Sequence, residues 1–252
     1  MKIAALYDIH GNLPALNAVL EELEEVRPDL IVVGGDVMPG PMPRQTLERL
    51  SQLGDRMRAI RGNGDREVVA VFDGLPFAPR MSDGAREVTR WTAGQLEQSQ
   101  RDFLAQLPEQ LTLHIEGLGS VLFCHATPRN DVDIFTPITP QERLNTIFSG
   151  VEQQLIVCGH THIQFERRVG SIRILNAGSV GMPYADRPGA YWLLLDSQGV
   201  EFRRTEYDLE EAAQLLRESG YPQAGEFAAE NVLKVPTAAE AMEYFERMAS
   251  EN

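Results

Sequence analysis

The sequence predicts an α/β fold built on two sheets, and three observations point there. Five short runs rich in Val, Ile and Leu, "KIAALY", "LIVVGG", "MRAI", "VLFC" and "LIVC", lack clean alternation, as strands buried on both faces do. An amphipathic segment separates the first two, which gives a strand, helix, strand unit of the kind that winds a parallel sheet. Further on, "IRILNAG" and "AYWLLLDSQGVEFRRTEYD" read as strands, the latter a hairpin turning at Asp196 to Gly199, and suit a second, partly antiparallel sheet.

Taken in order, "KIAALY" is the first inner strand. In "NLPALNAVLEELEEV", Leu13, Leu16, Val19, Leu20, Leu23 and Val26 recur at helical spacing, with Asn12 as N-cap and Pro14 in the first turn. "LIVVGG" is the second strand, Pro43 to Leu53 a second helix, and "MRAI" the third strand. Residues 66–110 lack strand signals. Their "REVTRWTAGQLEQSQRDFLAQLP" has helical spacing with Pro108 as a stop, so a helical insert is expected there. "LTLHIEG" alternates as a strand, and its His114 is read as structural. "VLFC" and "LIVC" complete the five inner strands. Two amphipathic patterns, Leu209 to Glu218 and Ala238 to Met248, close the chain across a Gly/Pro-containing linker. We expect one domain over residues 1–205, containing the insert at 66–110, and a helical extension over 206–252 packed on it.

Composition narrows the classes. The chain has 252 residues, 43% hydrophobic, enough for a sizeable core. No run is long enough for a signal peptide or a membrane span, so a cytoplasmic location is the default and no membrane partner is expected. Cys124 and Cys158 each end an apolar run and are read as reduced buried thiols. With 23 Lys+Arg against 37 Asp+Glu, the net charge of −14 opposes broad nucleic-acid binding, which relies on cationic surface. A phosphorylated substrate would need local positive charge. Metal ions are one source.

The polar residues carry the functional signal. "DIH", "GD", "GN", "CHA" and "CGHTH" each follow one of the five apolar runs. Strand C-termini gather at one edge of a parallel sheet, where open α/β folds place their sites, so Asp8, His10, Asp36, Asn63, His125, His160 and His162 would converge. Each has a bland alternative. Asp8 and Asp36 suit turns or caps, Asn63 between two glycines suits a left-handed turn, and His125 alone suits a core histidine bonded to backbone. His160 and His162, two imidazoles flanking one residue, rarely serve packing. The coincidence of all seven at strand ends favours a site. Carboxylate and amide oxygens with imidazole nitrogens suit Mn²⁺, Fe²⁺ or Zn²⁺.

These motifs resemble those of the calcineurin-like metallophosphoesterases, which run D-x-H, G-D, G-N-x-D/E, H and G-H-x-H. Here they read Asp8-Ile9-His10, Gly35-Asp36, Gly62-Asn63-Gly64-Asp65, His125 and Gly159-His160-Thr161-His162, in order, over residues 1 to about 205. "NAGSVGMPYADRPGAY" and "TRWTAG" with "LAQLP" look like the small bacterial, phosphodiesterase-like branch. The resemblance implies a four-layer α-β-β-α sandwich of two mixed sheets flanked by helices. It implies two divalent ions, Mn²⁺ foremost, with Fe²⁺, Zn²⁺ or Ni²⁺ also compatible. Asp36 would bridge them, with Asp8, His10 and His162 on one ion and Asn63, His125 and His160 on the other. Such a pair acidifies a bridging water and presents the hydroxide in line with a phosphorus. The function expected is a metal-dependent phosphoesterase, foremost a phosphodiesterase, acting on a small phosphorylated substrate. The alternatives are a nucleotide-polyphosphate hydrolase, a phosphoprotein phosphatase and a non-catalytic metal-binding scaffold.

Asp36, Asn63 and Asp65 are the candidate catalytic residues, Asp65 orienting a ligand or a water, or else serving as a turn or helix cap. Many relatives carry a proton-donating histidine where Gly64 stands. Its loss would disfavour poor leaving groups, since a general acid contributes roughly 10²–10⁴-fold, and a histidine restored there would raise monoester turnover. Asn12, Arg129, Asn130 and Tyr184 are candidate substrate contacts, with Arg187 at the same mouth. The backbone of "GSVG", residues 178–181, is a weaker candidate anion cradle. The C-terminal helices are read as packing on the sandwich rather than as an oligomerisation element.

Overall fold

In a computed structural model, which describes residues 1–250, two five-stranded mixed sheets lie between layers of helices. The first sheet has the order β10-β9-β1-β2-β3, from β1 (Ile3–Leu6), β2 (Leu30–Val33), β3 (Met57–Ala59), β9 (Ala190–Asp196) and β10 (Gly199–Thr205). The second has the order β4-β5-β6-β8-β7, from β4 (Gln110–Ile115), β5 (Gly119–Cys124), β6 (Leu155–Cys158), β7 (Gln164–Val169) and β8 (Ile172–Ala177). Strands β1, β2 and β3 run parallel, as do β5, β6 and β8.

Period-two alternation builds the layers. Ile3, Ala5 and Tyr7 point into the core between the sheets, with Val121, Phe123, Leu155 and Val157 from the other side. Ala4 and Leu6 point the opposite way, onto the helices α1 (Leu13–Val26) and α2 (Pro43–Ser51), which supply Leu16, Val19, Leu20, Leu47 and Leu50. Helix α3 (Asn63–Phe72) and helices α4 (Asp83–Gln95) and α5 (Gln98–Gln106) add Val68, Ala93 and Leu104 to the same layer. On the far side, Leu122, Cys124, Ile156 and Cys158 pack beneath α6 (Gln141–Ile147) and α9 (Ala238–Ser250). Helices α7 (Leu209–Arg217) and α8 (Ala224–Ala228) form a smaller cluster that includes Val88 of α4. Asn12 caps α1, its Oδ1 accepting from Ala15 N at 3.2 Å.

Three strand expectations are corrected. The five apolar runs divide between two sheets rather than lining one parallel sheet, and "MRAI" supplies an edge strand of three residues instead of an inner one. The β9–β10 hairpin joins the first sheet, beside β1, through antiparallel pairing of Ile3 with Leu195. Its hydrophobic face therefore completes the same sheet as the N-terminus. No helix among the described residues is long and apolar enough to cross a membrane.

Candidate metal centre

The parallel pairing that aligns Leu6 with Val33 brings the chain out of β1 and β2 side by side. Asp8 and His10 follow β1, Asp36 follows β2, Asn63 opens α3 after β3, His125 follows β5, and His160 and His162 follow β6. The strand ends of both sheets meet here. Two donor groups result, each with ligand atoms within 4.8 Å of one another: Asp8, His10 and His162, and Asp36, His125 and His160.

The local backbone is unusual. Among the described residues six non-glycine positions have φ in the left-handed region, and five of them are Asp8 (53°), His10 (47°), Asp36 (48°), His160 (68°) and His162 (56°). Such conformations cost on the order of 1–3 kcal/mol each and persist where surrounding structure fixes them. Here the fixing contacts are visible. His10 N donates to Asp36 O at 3.0 Å, Asp8 N to Gly35 O at 3.1 Å and Gly181 N to Asp8 O at 3.0 Å.

Three imidazoles are oriented through one nitrogen. His10 Nδ1 lies 3.1 Å from Pro39 O, His125 Nδ1 3.0 Å from Gly34 O, and His162 Nδ1 2.8 Å from Met182 O. A carbonyl only accepts, so each Nδ1 carries a proton and each Nε2 is turned inward. Inside, His10 Nε2 and His162 Nε2 stand 3.2 Å apart. His162 Nε2 is 3.4 Å from Asp8 Oδ1, and His125 Nε2 is 3.5 Å from Asp36 Oδ1. Asp36 also reaches the other group, its Oδ2 lying 3.8 Å from His10 Nε2.

The chemistry of this donor set fits a cation. Asp8 Oδ1 is buried without a hydrogen-bond partner, although Oδ2 accepts from His160 N at 2.9 Å. The Asn63 side-chain oxygen faces His160 Nδ1 at 3.0 Å, His125 Nε2 at 3.2 Å and the Asp131 carbonyl at 3.1 Å. Turning the amide over would put its nitrogen within donating distance of the Asp131 carbonyl and His160 Nδ1. The oxygen-inward orientation is the one a cation among these atoms would hold, and hard oxygen with imidazole donors suits a divalent ion.

The carboxylates and imidazoles shift one another's proton affinity. Burial raises both carboxyls, but His162 and His125 hold Asp8 below its usual value, and His125 and His10 hold Asp36 well below. Conversely, burial lowers His125, yet Asp36 and Asp8 bring it up to about 10, while burial and the His125 charge take His160 down to about 4. Asp65 is pushed up to about 7 by burial and by Asp36. Its two oxygens each accept a backbone N–H at 3.0 Å, from Met38 and Gly62, which ties the chain after β2 to the start of α3.

Gly64 has a steric reason. A Cβ there would stand 2.3 Å from Met38 O and 2.9 Å from Pro39 Cδ. The space a larger side chain would need is taken by the loop after Asp36. Gly64 N instead donates to Asp36 Oδ1 at 2.8 Å. The neighbouring Gly62 is as constrained, since a Cβ would meet Asp36 Oδ1 at 2.1 Å.

The expected substrate contacts separate from the cluster in different ways. Asn12 is buried with its amide engaged within the fold, Oδ1 accepting from Ala15 N and Nδ2 donating to Gly181 O at 2.9 Å. Asn130 Oδ1 accepts from Val132 N and Asp133 N, forming the turn of its own loop. Arg129 is paired with Asp133 through Nε and Nη2 but borders a cavity beside His125. Tyr184 stacks on the His162 ring at 5.3 Å and rests against Phe245 of α9 at 5.8 Å, so it steadies an imidazole. The "GSVG" backbone cradles the end of β1 rather than an anion: Val180 N donates to Tyr7 O, and Ser179 Oγ to Asp8 O. His114 is exposed on β4. Sequence reasoning passed over Asp131, whose carbonyl faces Asn63, and Arg61 and Arg66, which flank the "GNGD" stretch on either side.

Comparison with known proteins adds to this geometry. The family model described as "Calcineurin-like phosphoesterase superfamily domain" matches residues 1–198. The protein named "Phosphodiesterase YfcE" of Escherichia coli K12 is 29% identical over 204 residues, covering 77% of this chain and 87% of its own. A metallophosphoesterase structure from Sphaerobacter thermophilus superimposes with a TM-score of 0.69 at 27% identity, covering 92% of this chain and 100% of that one. The hypothetical protein PH1004 of Pyrococcus horikoshii OT3 gives a TM-score of 0.77 at 23% identity, with 93% and 99% covered.

Proposed function

Because this chain belongs to the calcineurin-like phosphoesterase superfamily, we propose that it is a metal-dependent phosphodiesterase that hydrolyses a P–O bond of a small phosphorylated substrate. The observation that carries the reading is the paired donor set, with Asp36 reaching both groups. Asp8, His10 and His162 would hold one divalent ion, and Asn63, His125 and His160 the other, with Asp36 shared. Mn²⁺ is the first choice, with Fe²⁺, Zn²⁺ or Ni²⁺ compatible. When bound, two such ions supply Lewis acidity toward phosphoryl oxygens and acidify water near neutral pH.

The chain's own residues prepare that chemistry. Three Nδ1–H to carbonyl bonds keep each Nε2 directed inward. Gly64 N and the Asp65 bridge fix Asp36 and the start of α3 relative to one another. No protein nucleophile is assigned. Cys124 and Cys158 are buried, and burial pushes both thiols up, so neither offers a thiolate. Those reduced thiols also support a cytoplasmic setting. The Escherichia coli relative is named a phosphodiesterase, which supports a diester over a monoester.

The test is kcat/KM for bis(p-nitrophenyl) phosphate and for p-nitrophenyl phosphate, on chelator-stripped protein reconstituted with Mn²⁺. Asp36→Asn serves as the blank. Metal-dependent preference for the diester, nearly abolished in the blank, is expected. Equal or better monoester turnover would move the assignment to a phosphatase, and no turnover of either would favour a metal-binding scaffold.

A further inference from the structure

Building on that phosphoesterase reading, we propose that Arg61 and Arg66 form a subsite for a second phosphoryl group on the leaving side of the substrate. The bond cleaved is then the P–O–P linkage of a disubstituted pyrophosphate. A cavity of about 290 Å³ opens beside His125 and is bordered by Arg61, Arg66, Thr127, Arg129 and Asp131. His125 belongs to the donor group with Asp36 and His160, so the cavity adjoins the candidate reaction centre. Three guanidiniums line it against two carboxylates, Glu109 and Asp131, in a protein of net charge −14.

The three arginines are not equivalent. Arg129 is spent on Asp133, at 2.9 and 2.7 Å. Arg66 grips Asp131 with Nε and Nη2, at 2.8 and 3.1 Å, which leaves Nη1 outside the pair. Arg61 is the least tied, with one ion-pair contact against two each for Arg66 and Arg129. Its Nη2 contacts Glu109, whose side chain is 71% exposed, and its Nε is buried without any partner. An exposed ion pair is readily exchanged, so an entering anion can take over Arg61 Nη2 from Glu109. The two residues also bracket Asn63. Arg61 is anchored by its backbone N–H to Pro108 O at 2.9 Å, and Arg66 sits one turn into α3.

Gly64 fits the same substrate. No side chain at that position can protonate a leaving oxygen, which is a serious loss for an alkoxide. A phosphate has a second pKa of about 6 and departs as an anion without a proton, needing cations rather than an acid. In the reaction, the water oxygen bonds to the attacked phosphorus. The bond from that phosphorus to the bridging oxygen breaks, and its electron pair stays with the bridging oxygen. The two water protons pass to the product phosphates or to solvent. The attacked phosphorus carries two substituents, as in a diester, so both preferences arise from one geometry. The cavity, at about 290 Å³, takes a phosphoryl group with part of its ester and no long polymer.

The experiment is calorimetric binding of methylenediphosphonate and of inorganic phosphate, to metal-free and to Mn²⁺-loaded protein, for the wild type, Arg61→Gln and Arg66→Lys. Expected is tighter binding of the diphosphonate, and a loss of about tenfold to a hundredfold in that affinity for Arg61→Gln, several times greater than its loss for phosphate. Arg66→Lys keeps the charge and the loop contact but not the fork, and should show the same selective loss in smaller degree. Parallel losses for the two probes, or equal wild-type affinities, overturn the subsite. Turnover of a dinucleoside 5′,5′-pyrophosphate against bis(p-nitrophenyl) phosphate separates the two levels. Hydrolysis of the aryl diester without diphosphonate selectivity leaves the phosphodiesterase standing and sinks the subsite. Diphosphonate selectivity without hydrolysis of either substrate supports the subsite and sinks the enzyme.

Discussion

Gly64→Ala is a sharp perturbation because its cost follows from one contact. The added Cβ would lie 2.3 Å from Met38 O, and ordinary contact begins at 3.4 Å, so the loop or α3 must move by about 1.1 Å. Neither moves alone. Met38 N is held by Asp65 Oδ1 at 3.0 Å, Pro39 O holds His10 Nδ1 at 3.1 Å, and Gly64 N holds Asp36 Oδ1 at 2.8 Å. Overpacking of this kind costs about 1–3 kcal/mol. At about 2–4 °C per kcal/mol for a chain of this size, Tm should fall by about 2–12 °C. Activity should suffer more, since a misplacement of about 1 Å can cost on the order of 10²-fold. Scanning calorimetry of chelator-treated protein gives the first quantity, and kcat of the Mn²⁺-loaded variant on bis(p-nitrophenyl) phosphate gives the second. A variant that melts with the wild type and turns over at the same rate would refute the steric account. By the same contact, Gly64→His is not a restored acid, and no gain in monoester turnover is expected from it.

Metal loading should release protons. Burial opposes the charge on His125, but Asp36 and Asp8 hold its proton up to about 10, so at pH 8 the metal-free protein carries a proton that an ion must displace. Affinity therefore rises with pH up to about 10. Titrating Mn²⁺ in two buffers of different ionisation enthalpy should give different heats, and identical heats would contradict the assignment of His125. Glu246 accepts from Thr136 Oγ1 at 2.7 Å, from Thr139 Oγ1, and from Arg143 Nη1 at 3.4 Å, fastening α9 to α6 and the loop before it. Glu246→Ala strands these donors and should cost about 1–3 kcal/mol, whereas Glu243→Ala on the exposed side of α9 should stay within about 0.5 kcal/mol. Equal melting temperatures for the two variants would remove that role.

The candidate centre was legible because its residues sit at a physically defined place, the ends of apolar runs, where a strand delivers its next side chains to a common edge. Helix α1 was legible for the same kind of reason: a capping Asn12, Pro14 in the first turn and an unbroken apolar stripe. What escaped depends on partners distant in sequence. Strand β7 lies at a sheet edge, where "QFERRV" needs little apolar surface, and its identity comes from pairing with β8. Helix α8 is short and hidden beyond Gly220 and Pro222, and its burial comes from α7 and α4. The space around Gly64 is set by a carbonyl 26 positions earlier, which no local pattern reveals. Arg61 and Arg66 carry no periodicity, and only the cavity singles them out.

The donor groups draw on both sheets at once: Asp8 and His10 leave the first sheet while His162 leaves the second, and Asp36 meets His125 and His160 in the same way. Any ion seated there is also a rivet through the sandwich, joining segments 152 residues apart in the chain, as His10 and His162 are. Binding to the folded form alone adds RT ln(1 + [L]/Kd), about 2.7 kcal/mol when the free ion is at 100 times its Kd. The cell's supply of divalent metal would then set how long the folded chain survives, as well as how fast it works.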